Sequence, residues 1–173
     1  IKADQLSYIE AHGTATSLGD AVEVEALATI FGEQTENKQY CALGSVKGNI
    51  GHTDVASGMA GLIKTALCLF HNKIPPMPLF EKYNPHINFE ESPFFINSQL
   101  VDRQKETKDF YAGVSAFGVG GTNVHMILSE HKPAPGTKEI SNENLIILSA
   151  KTQNALQQNI ENFIDFLKSS DMN

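Results

Sequence analysis

Three short segments hold the residues that could do chemistry: His12-Gly13-Thr14-Ala15-Thr16, Lys47-Gly48-Asn49-Ile50-Gly51-His52 and Phe117-Gly118-Val119-Gly120-Gly121-Thr122-Asn123. Each follows a run with strand character. Each is punctuated by glycine, which lets a backbone approach a ligand closely and take up positive φ. An imidazole that is neutral at pH 7 can donate a hydrogen bond to a developing oxyanion or shuttle a proton. A nearby lysine can hold or polarise such a histidine. His12, His52 and Lys47 together suit stabilisation of an enolate or a tetrahedral oxyanion.

Taken singly, these residues are weak signals. A lone histidine is more often structural than catalytic, and Lys47 reads equally well as a solvated lysine. A single glycine-rich turn does not make a phosphate site. Gly118 to Gly121 leads into the strand pattern of Val124, Met126 and Leu128, which counts against a nucleotide-binding domain. His71, His86 and His131 fall in polar or loop surroundings and read as surface residues. His125 alternates with apolar neighbours and reads as a strand residue with a satisfied hydrogen bond. No pair of histidines has the spacing of zinc ligands, so no metal is expected.

The elements that must position these loops follow from periodicity. Leu6 to Glu10 reads as a strand. Asp20 suits an N-cap or first-turn place ahead of a helix carrying Val22, Val24, Leu27, Ile30 and Phe31. Tyr40 to Val46 reads as a second strand, and Asp54 to His71 as a second helix. The first half of that helix is rich in small residues, which predicts a closely packed neighbour; its second half reads as core. Pro75, Pro76 and Pro78 and the Asn84-Pro85 pair predict a long ordered loop over residues 74–92. Phe94 to Asn97, Phe110 to Phe117 and Asn123 to Ser129 complete the strands. Ligands of α/β sheets gather at the carboxyl ends of strands, so the three loops are expected to share one pocket. Residues 132–144 read as a linker segment. A strand from Leu145 to Leu148 and a helix capped by Ser149 or Thr152 follow, a βα unit that cannot bury both its faces alone.

Composition narrows the setting. The 173 residues carry 13 basic against 20 acidic side chains, a net charge of −7. Nucleic-acid binding is not expected of such a chain, because it needs clustered Lys and Arg. No apolar run approaches the ~20 residues of a membrane span, so no membrane association is expected. Neither a secretory signal nor an initiator Met opens the chain, which predicts an excised piece of a longer protein. Cys41 and Cys68 are too few for a disulfide scaffold and sit in apolar segments, so both read as small buried hydrophobes in a reducing, cytoplasmic setting.

Together the loops resemble a known family. Glu10-Ala11-His12-Gly13-Thr14-Ala15-Thr16 with Gly19-Asp20 is similar to the E-A-H-G-T-G-T-x-x-G-D segment of β-ketoacyl synthases. Lys47 to His52 resembles their K-x-N-I-G-H segment, and Gly113 to His125 their G-V-S-S-F-G-x-G-G-T-N-x-H segment. Ile74-Pro75-Pro76 and Asn84-Pro85 resemble the modular polyketide synthase version.

The resemblance covers residues 1–131 and implies an α/β fold, the C-terminal half (βαβαββ) of a thiolase-like architecture. Residues 145–173 resemble the start of the linker domain that follows ketosynthases. It implies a transferase performing decarboxylative Claisen condensation of an acyl-enzyme thioester with a malonyl-type extender. His12 and His52 would be catalytic, and Lys47 would orient or polarise them. Thr14 and Thr16 would contact the phosphopantetheine arm, and the Val119 N–H would serve the oxyanion hole. Asp20, Glu23, Phe117 and Asn123 would support the site.

No permanently bound cofactor is implied; the phosphopantetheine arm of an acyl carrier protein brings the substrate. The implied partners are that carrier protein, the N-terminal half of the ketosynthase, neighbouring synthase domains and a second copy in a homodimer. Ala15 and Ala21 replace a common Gly and Pro, and Val119 stands where many fatty-acid enzymes carry a gating Phe. Neither cysteine matches the family's nucleophile segment, so this chain alone is expected to be inactive. The alternative is a non-catalytic carrier-protein-binding or assembly module that keeps the loops as scaffold.

Overall fold

The structure, a computed structural model, describes residues 1–103, 109–131 and 146–169. It divides into two compact units, Ile1–Pro133 and Ala134–Asn173, which are taken one at a time.

The first unit is built on one five-stranded sheet. Its strands are β1 (Leu6–Glu10), β2 (Cys41–Gly44), β4 (Phe94–Phe95), β6 (Tyr111–Phe117) and β7 (Asn123–Ser129), in the spatial order β4-β2-β1-β6-β7. Parallel pairing joins β4, β2, β1 and β6, with Glu10 opposite both Gly44 and Val114. The last strand folds back as an antiparallel hairpin, running from Tyr111 opposite Ser129 to Phe117 opposite Asn123. Two further helices, α1 (Ser17–Gly32) and α3 (Ser57–His71), supply the crossovers. The succession β1-α1-β2-α3-β6-β7 is the expected βαβαββ, with β4 as a short added edge.

The central strands are apolar on both faces because each face is covered. Ile9, Val24, Phe31, Cys41, Leu43 and Phe94 pack on the side of α1. Tyr8, Ala42, Cys68, Leu69, Phe110 and Ala112 pack on the side of α3. A register shift between Leu6 and Tyr8 places Leu6 with Ile9 on one face despite their odd spacing.

Several boundaries differ from the sequence reading. The first helix begins at Ser17, because the Thr16 hydroxyl accepts the Gly19 N–H at 3.2 Å and caps it; Asp20 lies in its first turn. The segment Lys47–Ile50, expected as an open turn, is a single helical turn, α2. A 3₁₀ turn at Asp54–Ala56 precedes α3. An unanticipated two-stranded ribbon pairs β3 (Lys73–Ile74) with β5 (Val101–Asp102), and the side-chain amide of Asn97 donates to Pro75 O at 2.9 Å and to Gln99 O at 3.1 Å, joining the chain after β3 to that before β5.

The small residues of α3 have the predicted close neighbour. A Cβ on Gly61 would lie 3.1 Å from Glu10 Cγ, and one on Gly58 would lie 3.0 Å from Ala116 Cβ. The bulky half of α3 departs from the expectation. Cys68 and Leu69 are buried, but Ile63, Leu67 and Phe70 are exposed together with Met59. Small residues are what the sheet accepts at this distance, which turns the large side chains outward.

In the second unit α4 (Gln153–Ser169) is capped by Thr152, whose hydroxyl accepts the Ala155 N–H at 3.2 Å. Leu156, Ile160 and Phe163 are half-buried along it, whereas Ile164 and Leu167, which share their amphipathic spacing in the sequence, are exposed. Residues 146–150 are not a strand, and Leu145 and the linker over 132–144 lie outside the described residues.

Candidate active site

The loop after β1 is held from both sides. Ala11 donates to Gly44 O at 2.8 Å, extending the sheet pairing past Glu10. The chain then turns through Gly13 (φ +48°) and Ala15 (φ +61°). A Cβ on Gly13 would sit 2.8 Å from Ser45 Cβ, so only glycine lets the loop lie against the end of β2. From α1, the buried Glu23 carboxylate accepts the N–H of His12 at 2.7 Å and of Gly13 at 2.9 Å. Asp20 accepts the Ala15 N–H at 3.1 Å. Burial raises both carboxyls above their usual range, and the backbone donors and Lys47 partly oppose it.

The second loop is fixed by β1 and by its own start. Glu10 accepts the Val46 N–H, and Ser45 Oγ accepts the Lys47 N–H at 3.3 Å. The turn α2 presents Lys47, whose ammonium donates to the His12 carbonyl oxygen. Burial lowers the Lys47 ammonium below the usual lysine value, while Glu10, Glu23 and Asp20 oppose the change. Gly51 (φ +75°) ends the turn and delivers His52.

The two histidines meet edge to face, with ring centroids 5.7 Å apart and planes at 85°. Nδ1 of His12 accepts the Phe117 N–H at 3.3 Å, and Nδ1 of His52 accepts the Asp54 N–H at 2.9 Å. In a neutral imidazole so engaged the ring proton resides on Nε2. Both rings are thus set as Nε2–H donors. Burial first, then the charge of Lys47 and that of His52 when protonated, lower His12 below the usual histidine value. Two Nε2–H donors beside a lysine can stabilise negative charge developing on a carbonyl oxygen.

The third loop is the β6–β7 hairpin. Its turn is closed by Gly118 N–H to Thr122 O at 2.8 Å and carries positive φ at Gly120 and Gly121. The Phe117 ring lies 5.3 Å from that of His12. A groove of about 810 Å³ is lined by His12, Thr14, Phe117 and Asn123, with Leu18 and Val22 of α1. Thr14 and Thr16 approach each other at 3.4 Å between hydroxyls. Val119 stands fully exposed in the turn and is not part of that lining. The structure thus brings His12, His52, Lys47 and Phe117 into contact and leaves Val119 apart.

Residues 1–81 match the family model described as the β-ketoacyl synthase C-terminal domain, and residues 84–172 the ketoacyl-synthetase C-terminal extension. The chain belongs to the β-ketoacyl synthase family. It is 41% identical to polyketide synthase PksL of Bacillus subtilis, over 99% of this chain and 4% of that protein. Among solved structures it resembles the ketosynthase from module 6 of the bacillaene synthase of Bacillus subtilis, with TM-score 0.73 and 41% identity over 99% of this chain and 29% of that one. An oxazolomycin ketosynthase domain from Streptomyces albus gives TM-score 0.71 and 34% identity, over 98% of this chain and 29% of that one. The chain is therefore the C-terminal part of a ketosynthase of the modular polyketide synthase kind, spanning 29% of each of these two solved ketosynthases.

As a ketosynthase segment it holds two free cysteines, both buried. Burial drives the Cys41 thiol far above its usual range and raises Cys68 to about 11. Neither is a thiolate at neutral pH, and a thiol without its thiolate is a poor nucleophile. His71, His86 and His131 are exposed, and His125 Nδ1 lies 2.9 Å from Ser115 Oγ. Among the described residues no group of three His, Cys, Asp or Glu could hold a metal ion, and no helix is long and apolar enough to cross a membrane.

Two ketosynthase positions escaped the sequence reading as individual residues. Ser45 seats the first loop and starts the second. Glu10 is 1% exposed in the middle of the sheet. A charged residue between the apolar Ile9 and Ala11 was the available signal.

Proposed function

We propose that this segment supplies the decarboxylating half of a condensing active site. The observation that carries the reading is the pair of imidazoles whose Nδ1 atoms both accept backbone N–H groups. A malonyl-type thioester would place its carbonyl oxygen against the Nε2–H groups of His12 and His52. The bond from the α-carbon to the carboxylate then breaks, and its electron pair moves toward that oxygen as an enolate while carbon dioxide leaves. The two donors stabilise the enolate more than the ground-state carbonyl, which accelerates the step. The α-carbon attacks the carbonyl of an acyl thioester on a cysteine of the preceding part of the ketosynthase. The tetrahedral oxyanion so formed collapses with loss of the cysteine thiolate.

Lys47 holds the His12 carbonyl and adds positive charge beside the rings. Asp20 and Glu23 fix the His12 loop, and Phe117 and Asn123 complete its floor. Thr14 and Thr16 bind the phosphopantetheine arm of an acyl carrier protein. The complete enzyme works in the cytoplasm as a homodimer beside other synthase domains. Residues 1–131 complete the ketosynthase fold, residues 132–144 are a linker segment, and residues 145–173 start the domain after it.

Complementation tests this assignment. Mixing this chain with the separately made N-terminal part of the same ketosynthase restores carbon dioxide release from a malonyl carrier protein. A folded mixture that binds the carrier but releases none makes the segment a binding or assembly module instead.

A further inference from the structure

We propose that Glu10 is a positioning residue for Lys47: its buried carboxylate ties the helical turn that presents Lys47 to the sheet and to α3. The inference rests on the proposed role of Lys47 beside His12.

Glu10 ends β1 two residues before His12 and is 1% exposed. One carboxylate oxygen accepts the Val46 N–H, immediately before Lys47. The other accepts the Tyr8 hydroxyl and lies 2.9 Å from Nζ of Lys64 on α3. Gly61 leaves the room that this carboxylate needs, since a Cβ there would lie 3.1 Å from Glu10 Cγ. Three elements therefore converge on one buried charge. A buried ion pair is a poor device for stability alone, because desolvation of both charges offsets their attraction. What this pair does is geometric: the turn closes on itself through Ile50 N–H to Val46 O and Gly51 N–H to Lys47 O, and Glu10 fixes Val46, the N-cap residue on which that turn is built, relative to the sheet. Glu10 also acts through charge, being the largest influence that raises the Lys47 ammonium against the effect of burial.

The charged groups around this junction are Glu10 of β1, Lys64 of α3, Lys47 of α2 and Glu23 and Asp20 of α1, with His12 beside Lys47. Tyr8 and Cys68 are the other titratable groups on Glu10; their protonated forms are favoured by burial and by its charge. Removing the Glu10 charge lets the Lys47 ammonium lose its proton at lower pH.

The test uses the complete ketosynthase carrying Glu10→Gln, the double variant Glu10→Gln/Lys64→Met and, as control, Lys47→Met. The double variant leaves no unpaired buried charge, so it folds even where the single variant does not. Active sites are counted by acylation of the cysteine, and decarboxylation of a malonyl carrier protein is measured per site. The inference expects kcat for decarboxylation about tenfold to a hundredfold lower in both Glu10 variants, as for a displaced catalytic group. KM and cysteine acylation stay unchanged, and the alkaline limb of the pH profile moves down.

A purely structural Glu10 lowers Tm and the count of active sites but leaves kcat per site and the alkaline limb in place; that result overturns the inference. Should Lys47→Met decarboxylate normally, the role given to Lys47 fails and the inference fails with it. Should Lys47→Met be slow while both Glu10 variants run at the parental rate, only the inference about Glu10 is lost.

Discussion

Phe117 donates its backbone N–H to Nδ1 of His12 at 3.3 Å, joining residues 105 positions apart. The contact forms because β1 and β6 are parallel neighbours whose carboxyl ends lie together. It sets the ring proton of His12 on Nε2, and His52 reaches the same state through the N–H of Asp54. A shared tautomer at two adjacent rings is the feature on which the functional account depends.

The pH dependence of decarboxylation follows from His12. Its pKa is lowered from the ordinary value of 6.5 by burial, by Lys47 and by His52, so the ring stays a neutral donor below that pH. In the complete ketosynthase the acid limb of the decarboxylation profile is expected below pH 6.5. In Lys47→Met, where one positive neighbour is gone, the residual activity shows that limb moved upward. The sign is fixed: a depressed histidine gains its proton, and loses function, only as pH falls through the lowered value. An unmoved limb in Lys47→Met contradicts the electrostatic contact.

Backbone conformation predicts opposite signs at two neighbouring positions. Ala15 sits at φ +61°, where a Cβ costs about 1–2 kcal/mol and glycine costs less. Ala15→Gly is expected to raise Tm slightly, offset in part by the greater freedom of glycine in the unfolded chain. Gly13 sits at φ +48° with Ser45 Cβ only 2.8 Å from where a new Cβ would go. Gly13→Ala is expected to destabilise by about 2 kcal/mol or more. Thermal unfolding of the two variants checks the contrast.

The outward apolar face of α3 predicts behaviour of the isolated segment. Met59, Ile63, Leu67 and Phe70 are all more than half exposed, so the segment is expected to bind a hydrophobic dye and to self-associate. Ile63→Lys with Leu67→Lys should cut dye binding at least about twofold in the isolated segment.

Addition of ATP or NAD is expected to leave Tm within about 1 °C, because the Gly118 to Gly121 turn leads into β7 and not a helix. A concentration-dependent rise reopens the nucleotide reading.

Much of this site was legible in the sequence because its three loops are local features. Glycine, histidine and lysine at fixed spacing mark a turn after a strand wherever that turn ends up. The strand–helix alternation likewise placed α1 and α3 to within a few residues. What was not legible depends on contacts made at a distance. Thr16 caps α1 through a side-chain geometry that Asp20 suited equally well on type alone. The residue that opens the turn α2, Val46, is held by Glu10, 36 residues earlier. The inward and outward faces of α3 are decided by how closely β1 and β6 approach it, and both faces carry apolar residues. The β3–β5 ribbon comprises two residues per strand, too few for any periodicity to show.

The central claim is that His12 and His52 serve decarboxylation and not cysteine acylation. It is tested most directly with His12→Ala/His52→Ala in the complete ketosynthase, by following both partial reactions in one sample. Transfer of a labelled acyl group to the enzyme should continue near the parental level. Carbon dioxide release from the malonyl carrier protein should fall about a hundredfold or more, the loss typical of removing oxyanion donors. Release at the parental rate in a fully acylated double variant would contradict the account.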